Sequence, residues 1–371
     1  MTLTHGTLST PLLTLLRQPD SFPNLTLPEQ DLALRLLRRA GLLAWLFYRL
    51  QEGDSWQTLH PKVRDHLEGA RVVAVEDERM LRWEVNRIRR ALLGTGIPVT
   101  LLKGAAYCHA GLPMARGRLV ADVDLLFVRD DLDQVEQALT EHGWKQVKLN
   151  SYDQNYYRQW MHELPPMRHW ERLTEVDLHH TILPITGRLK PNPALLWQDR
   201  VPVVGESGVW TLSAVDMTLH AMVHLFHDAD FDRGLRDLVD LDGLFRHFAK
   251  TEPTFWASLT PRARQLGLGR PLFHALTHLN SLMQTPIPQA VLIDSQKDGP
   301  IWPLRPLMGL LIPLAILPGH PERANLLRIL AWWPLYLRSH WLKMPPTLLF
   351  SHLTHKLSRR WRPTVQNRRL V

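Results

Sequence analysis

A chain of 371 residues, 45% of them hydrophobic, is long enough for two or three domains and a sizeable buried core. Its single cysteine, Cys108, excludes an internal disulfide and points to a reducing, cytoplasmic setting, and the first twenty residues lack the basic and long apolar stretches of a secretory signal. A net charge of +8 fits a polyanionic partner such as nucleotide, nucleic acid or acidic lipid without choosing among them.

Residues 31–50 repeat apolar side chains at three- and four-residue spacing, with Arg35, Arg38 and Arg39 grouped opposite, which predicts one amphipathic helix closed by Gly53 and Asp54. Residues 63–93 predict a longer helix ended by Gly94 and Gly96. A strand over 97–102 leads into a sharp turn at Gly104 and a short apolar helix, in which Cys108 reads as a packing residue. A basic connection then reaches a second apolar strand carrying Asp122 and Asp124. Residues 131–142 predict a helix whose acidic start suits the helix dipole, and Gly143 stops it. Residues 144–149 suggest a strand, 155–163 are ambiguous in type, and 173–183 return to strand character. Residues 184–193 read as a linker from their Pro, Gly and basic content, and 201–210 as a hairpin around Gly205 and Gly208. Helices are expected at 214–227, with Ser213 as N-cap, then at 235–248 and 255–266.

Residues two apart on a strand share a face, so Asp122 and Asp124 should project together while Val123 and Leu125 enter the core. Two adjacent anions beside apolar layers are costly, and a divalent cation bound to phosphate oxygens removes that cost. The same period puts Asp177 and His179 on one face of the later strand; if that strand lies beside the first, three carboxylates converge. Each residue also has a plainer reading: a solvated edge strand for Asp122 and Asp124, a surface lysine for Lys103, loop charges for Arg116 and Arg118, and a cap on the sheet edge for His179. His220, His224 and His227 share a helical face followed by Asp228, Asp230 and Asp232, but no complete set of spaced zinc or HD-type ligands is evident. His162-Glu163 fails as a metalloprotease motif because Pro165 and Pro166 occupy the next turn. Arg233, Arg236, Asp237 and Asp240 read as a polar helix face near the cleft, with Arg236 or Arg233 a candidate nucleotide or acceptor contact.

Gly104 after one strand, Asp122-Val123-Asp124 on the next, and Glu175-Val176-Asp177-Leu178-His179 later resemble the DNA polymerase β-like nucleotidyltransferase superfamily. More narrowly, LLKGAAY, DVDLLF and VDLHH are similar to the bacterial nucleotidyltransferase family often encoded with polysaccharide and peptide-modification genes. The resemblance implies an α+β fold: an N-terminal helical region (1–95), a small mixed β-sheet nucleotidyltransferase core (96–210), a helical domain (211–300) and a C-terminal segment (301–371). It further implies transfer of a nucleoside monophosphate from an NTP to an acceptor hydroxyl or phosphate, with release of pyrophosphate. Asp122 and Asp124 would bind two magnesium ions, and Asp177 would complete the metal site or activate the acceptor. Gly104 would lie under the triphosphate, with Lys103 and Arg118 touching phosphate. The acceptor is not readable.

Residues 301–318 are strongly apolar, but four prolines and Arg305 break them too often for a membrane-spanning helix. Residues 326–343 place Trp332, Trp333, Tyr336 and Trp341 among Leu and Arg, with no acidic residue after Glu322, which suits either an anionic bilayer surface or a helix packed on the body. A location peripheral to the inner membrane face is therefore an expectation beside the cytoplasmic one. The basic tail carries no RNA-binding motif, which argues against nucleic acid. The alternative functions are a catalytically degenerate nucleotide-binding regulator and a membrane-surface scaffold of a glycan or peptide-modification pathway.

Overall fold

A computed structural model describes residues 9–148, 151–227, 231, 233–319, 322 and 325–350. Asp228, Asp230, Asp232 and the basic tail at 359–369 lie outside the described residues.

The N-terminal helices are α1 (Ser9–Arg17), α2 (Leu27–Arg39), α3 (Leu43–Glu52) and α4 (Pro61–Leu92). Thr26 and Glu29 form a capping box at the start of α2, where the Thr26 N–H donates to Glu29 Oε2 at 2.8 Å. The single helix expected over 31–50 is two helices, parted at Gly41 with φ +72°. Beyond that break Leu43, Ala44, Trp45, Leu46 and Phe47 are all buried, so α3 needs cover on every side and cannot continue the half-exposed direction of α2.

The middle of the chain builds the sheet from β1 (Val99–Leu101), α5 (Lys103–His109), β2 (Asp122–Leu126), α6 (Leu132–Glu141), β3 (Trp144–Gln146), α7 (Ser151–Trp160), β4 (Met167–His169), β5 (Glu175–His179), α8 (Pro193–Gln198), β6 (Val201–Pro202) and β7 (Val209–Thr211). The ambiguous stretch is mostly the helix α7, and β4 is a strand that the sequence pattern did not reveal. The strand order is β3-β4-β5-β2-β1-β7-β6. Parallel pairing joins β2 to β5 and β1 to β7, and antiparallel pairing joins β1 to β2, so the sheet is mixed. Strand β5 lies between β4 and β2, and His179 therefore does not cap a sheet edge.

A helical region follows: α9 (Ala214–Phe226), α10 (Gly234–Thr251), α11 (Phe255–Gln265), α12 (Gly269–His278), α13 (Gln289–Ser295), α14 (Leu304–Ile316) and α15 (Leu326–Lys343). Ser213 caps α9 by accepting from the Asp216 N–H at 3.3 Å. The α+β class expected from the sequence is the class observed. Residues 184–193 are packed rather than a free linker: Thr186 Oγ1 donates to the Lys343 carbonyl at 2.9 Å and the Arg188 N–H to the Leu342 carbonyl at 2.8 Å, tying this segment to the end of α15.

Candidate active site

Strands β2 and β5 run parallel and in register, with Asp122 opposite Glu175 and Asp124 opposite Asp177. Val123, Leu125, Val176 and Leu178 are fully buried on the other face, and this burial fixes the side to which the carboxylates project. The Leu102 N–H donates to the Asp124 carbonyl at 2.9 Å, so the chain turns into α5 directly beside Asp124.

The turn is sharp at Lys103 rather than at Gly104. Lys103 has φ +45°, a left-handed conformation that costs a side-chain-bearing residue about 1–3 kcal/mol. It aims the ammonium into the site, where Nζ donates to Asp124 Oδ1 at 2.7 Å. Gly104 is the second residue of α5, and the space its Cβ would take is filled by the Arg118 guanidinium. Arg118 Nε donates in turn to Asp240 Oδ2 of α10 at 2.7 Å, and both side chains are buried. Arg236 pairs with Asp237 Oδ1 at 2.9 Å on the same helix. Arg118 and Arg236 are thus brought to one side of α5 and neutralised there by two aspartates.

His179 donates from Nε2 to Asp124 Oδ1 at 2.8 Å, while its Nδ1 faces Glu163 Oε2 at 3.4 Å. Glu163 reaches this place because residues 162–164 lie along the end of β5: the His180 N–H donates to the His162 carbonyl and the Leu164 N–H to the Leu178 carbonyl, both at 2.9 Å. Tyr157 of α7 also feels Glu163 and Asp177, and burial together with these charges pushes its phenol up to about 12. Tyr157, in a stretch of undecided type, carried no functional signal in the sequence, and Glu163 was weighed only with His162 as a metalloprotease motif that the following prolines exclude.

The electrostatics are those of an anionic cleft with few cations. Burial drives the Asp124 carboxyl upward, but Lys103 and His179 outweigh it and hold Asp124 well below the usual carboxylate range. Burial lowers Lys103 and His179 in the same way, and the surrounding carboxylates raise both overall. Asp177 is less well compensated: burial, then Glu163 and Asp124, push it up to about 7, and His179 offsets them only in part. Asp122 adds negative charge felt by both Lys103 and Asp177.

The donor chemistry fits a divalent cation. Among the described residues, Asp124, Asp177 and His179 have ligand atoms within 4.8 Å of one another, and so do His162, Glu163 and His179. Asp122 belongs to neither set; it stands two register pairs before Asp124, on the same face of β2. Four carboxylates around one lysine and one histidine leave negative charge that a hard cation would balance. His220 of α9 is buried near Lys103 and His179, and burial first, then those cations, hold it neutral, far below its ordinary value. Neither His220 nor His224 joins a ligand set among the described residues. Cys108 is buried and its thiol is pushed up to about 12, in keeping with packing rather than nucleophilic chemistry.

Past the C-terminal ends of β2 and β5 lies a mainly apolar cavity of about 480 Å³, lined among others by Phe127, Leu183 and Trp197, with Arg129, Asp130, His180, Thr181, Lys190 and Gln198 at its polar positions. Ligands of open α/β sheets commonly bind at this end of parallel strands.

Neither the curated proteins nor the solved structures compared with the chain gave a match. A family model described as an uncharacterised nucleotidyltransferase matches residues 27–284, a span that holds the carboxylate strands, Lys103, Gly104 and both arginines. The chain belongs to that nucleotidyltransferase family.

Proposed function

We propose that the protein transfers a nucleoside monophosphate from an NTP to an acceptor hydroxyl or phosphate in a magnesium-dependent reaction. The observation that carries this reading is the pairing of Asp124 with Asp177 on parallel strands, with Lys103 and His179 on the same carboxylate. Asp124 and Asp177, with Asp122 beside them, would hold the metal, which when bound neutralises phosphate charge and acidifies an acceptor hydroxyl. Lys103 fixes Asp124 in its ionised form and adds the positive charge nearest the incoming phosphates. Arg118 and Arg236 stand on the same side of α5, paired with Asp240 and Asp237. In the transfer, the acceptor oxygen bonds to the α-phosphorus while the bond from that phosphorus to the bridging oxygen breaks. Pyrophosphate leaves with the electron pair, and Asp177 takes the hydroxyl proton at its carboxylate. The cavity beyond β2 and β5 receives the apolar part of the acceptor against Trp197, with Arg129 and Lys190 available to an anionic group.

The test is calorimetric titration of a non-hydrolysable NTP in magnesium, together with turnover of labelled NTP across an acceptor panel. Asp124→Asn and Asp177→Asn should each lower turnover by about 100-fold or more while leaving a cooperative melt. Full transfer by either variant would overturn the assignment. Trp197→Ala should raise the acceptor KM and leave the nucleotide KM unchanged.

A further inference from the structure

Helix α15 is apolar on two opposite sides. Ala331, Leu335 and Ser339 are buried toward the body, where Arg338 Nη1 donates to the Phe226 carbonyl at 3.2 Å. The other side carries Leu326, Leu330, Trp333, Leu337 and Trp341, at steps of four, three, four and four residues, each between 48% and 70% exposed. A helix that is apolar all round belongs inside something, and here one side has been left outside. Helix α14 packs beside it and behaves alike, burying Leu311, Ile312 and Ala315 while exposing Leu304, Leu307 and Leu310. The two outer faces place large apolar side chains on neighbouring helices, which is more than the scattered exposure of an ordinary surface.

The charge of the chain says what covers this face. Ten Lys and Arg and no Asp or Glu follow Glu322, so residues 1–322 hold 34 basic and 36 acidic side chains, a net charge of −2. All of the excess positive charge of the protein lies within and after α15. At the end of the apolar stripe, Arg188 stands over the Trp341 ring, 4.3 Å from its centroid, and Lys343 closes the helix. No helix among the described residues is long and apolar enough to cross a membrane. Leu and Trp facing outward, with Arg188 and Lys343 at the end from which the basic sequence continues, are the pattern of a helix lying in the plane of a negatively charged lipid interface. A second copy of the chain is the weaker occupant, because two copies carrying the same net positive charge repel whereas an anionic surface attracts it.

We infer that the outer face of α14 and α15 docks the protein onto an anionic bilayer, with α15 lying in the interface and the net positive charge of the sequence after Glu322 drawing it to anionic headgroups. This assignment does not depend on the transfer reaction.

The experiment is flotation of the full chain with vesicles of phosphatidylcholine alone and of phosphatidylcholine mixed with phosphatidylglycerol. Wild type should float with the anionic vesicles, and its bound fraction should fall in high salt. Leu330→Glu/Trp333→Glu/Leu337→Glu should lose at least tenfold in partitioning at an unchanged melting temperature, since these positions are exposed. Arg359→Gln/Arg360→Gln/Arg362→Gln should weaken the preference for anionic vesicles. If the glutamate variant folds poorly, the lipid-induced blue shift of tryptophan emission, compared between wild type and Trp333→Phe, reads the same contact. Undiminished flotation of the folded glutamate variant would overturn the proposal. So would light scattering that shows a dimer dissociated by those substitutions, with no vesicle binding by wild type.

Discussion

An added methyl at Gly104 would stand 2.8 Å from Arg118 Cζ and 3.0 Å from Val120 Cγ2, closer than a Cβ tolerates. The glycine is therefore required by a neighbour and not by its own backbone, which is helical. Arg118 cannot step aside freely, because its Nε is held by Asp240 at 2.7 Å where both groups are buried. Breaking a buried pair leaves a charge without its partner, at a cost of about 3–5 kcal/mol. Gly104→Ala should accordingly destabilise the protein by about 3 kcal/mol in urea titrations. In an Arg118→Met background the same substitution should cost about 1 kcal/mol or less, because the flexible thioether can yield. Equal costs in the two backgrounds would mean that Arg118 does not set the limit. Gly104 is small so that the Arg118 guanidinium can lie against α5.

At the scale of elements, the break between α2 and α3 offers the cleanest test of backbone control. Gly41 has φ +72°, and the nearest atom to an added Cβ is Arg236 Cδ at 3.9 Å, an ordinary contact. Gly41→Ala therefore isolates the cost of forcing an L-residue into the left-handed region, about 1–2 kcal/mol. Thermal melts should show that loss with helical content by circular dichroism unchanged. A gain in stability would mean that the two helices prefer to run straight. The periodicity of 31–50 concealed this break because glycine within a helical pattern carries no mark of its φ, and tertiary burial of α3 decides it. The limits of sequence reading follow the same line elsewhere. Asp122, Asp124, Asp177 and His179 were legible because a period of two and apolar neighbours fix their faces, and the observed β2–β5 register brings Asp124 and Asp177 together. Glu163 was not legible, since it enters through an isolated bridge to His179 and no local pattern announces a bridge. Strand β4, three residues long with His169 buried and Arg168 exposed, is too short to show alternation. Lys103 was named, but its pairing with Asp124 depends on a positive φ that favours glycine and was expected one residue later.

Over the whole molecule, charge and buried histidines are distributed in ways that composition hides. The net +8 suggested a polyanion-binding protein, yet residues 1–322, which hold the candidate active site, are close to neutral, so on the proposed reading attraction of nucleotide would rest on local groups. The buried histidines of the C-terminal helices give a global pH response. His274 and His278 are each 2% exposed; their rings lie nearly parallel with centroids 6.4 Å apart, and His278 stacks on Phe226. Burial holds His274 down to about 3, with Arg338 and His278 adding to it, and burial alone holds His278 down to about 4. In the unfolded chain both should titrate near their ordinary value of about 6.5. Below that pH the unfolded state binds protons that the folded state refuses, so stability present above about pH 6.5 is lost as the pH falls toward the folded values. Each histidine contributes a slope of about 1.4 kcal/mol per pH unit once the unfolded form is fully protonated. The cleft opposes this in part: Asp177, raised to about 7, takes up a proton more readily in the fold as the pH falls from there, and His179 is likewise raised. Comparing wild type with His274→Leu/His278→Leu cancels the contribution of the cleft, because both proteins retain it. The wild type should lose about 2–3 kcal/mol more than the double variant per pH unit between about pH 6 and pH 5 in urea titrations. Parallel pH profiles would mean that the two imidazoles are already charged inside the fold, and the neutral stack of His274, His278 and Phe226 would have to be replaced by a hydrated one.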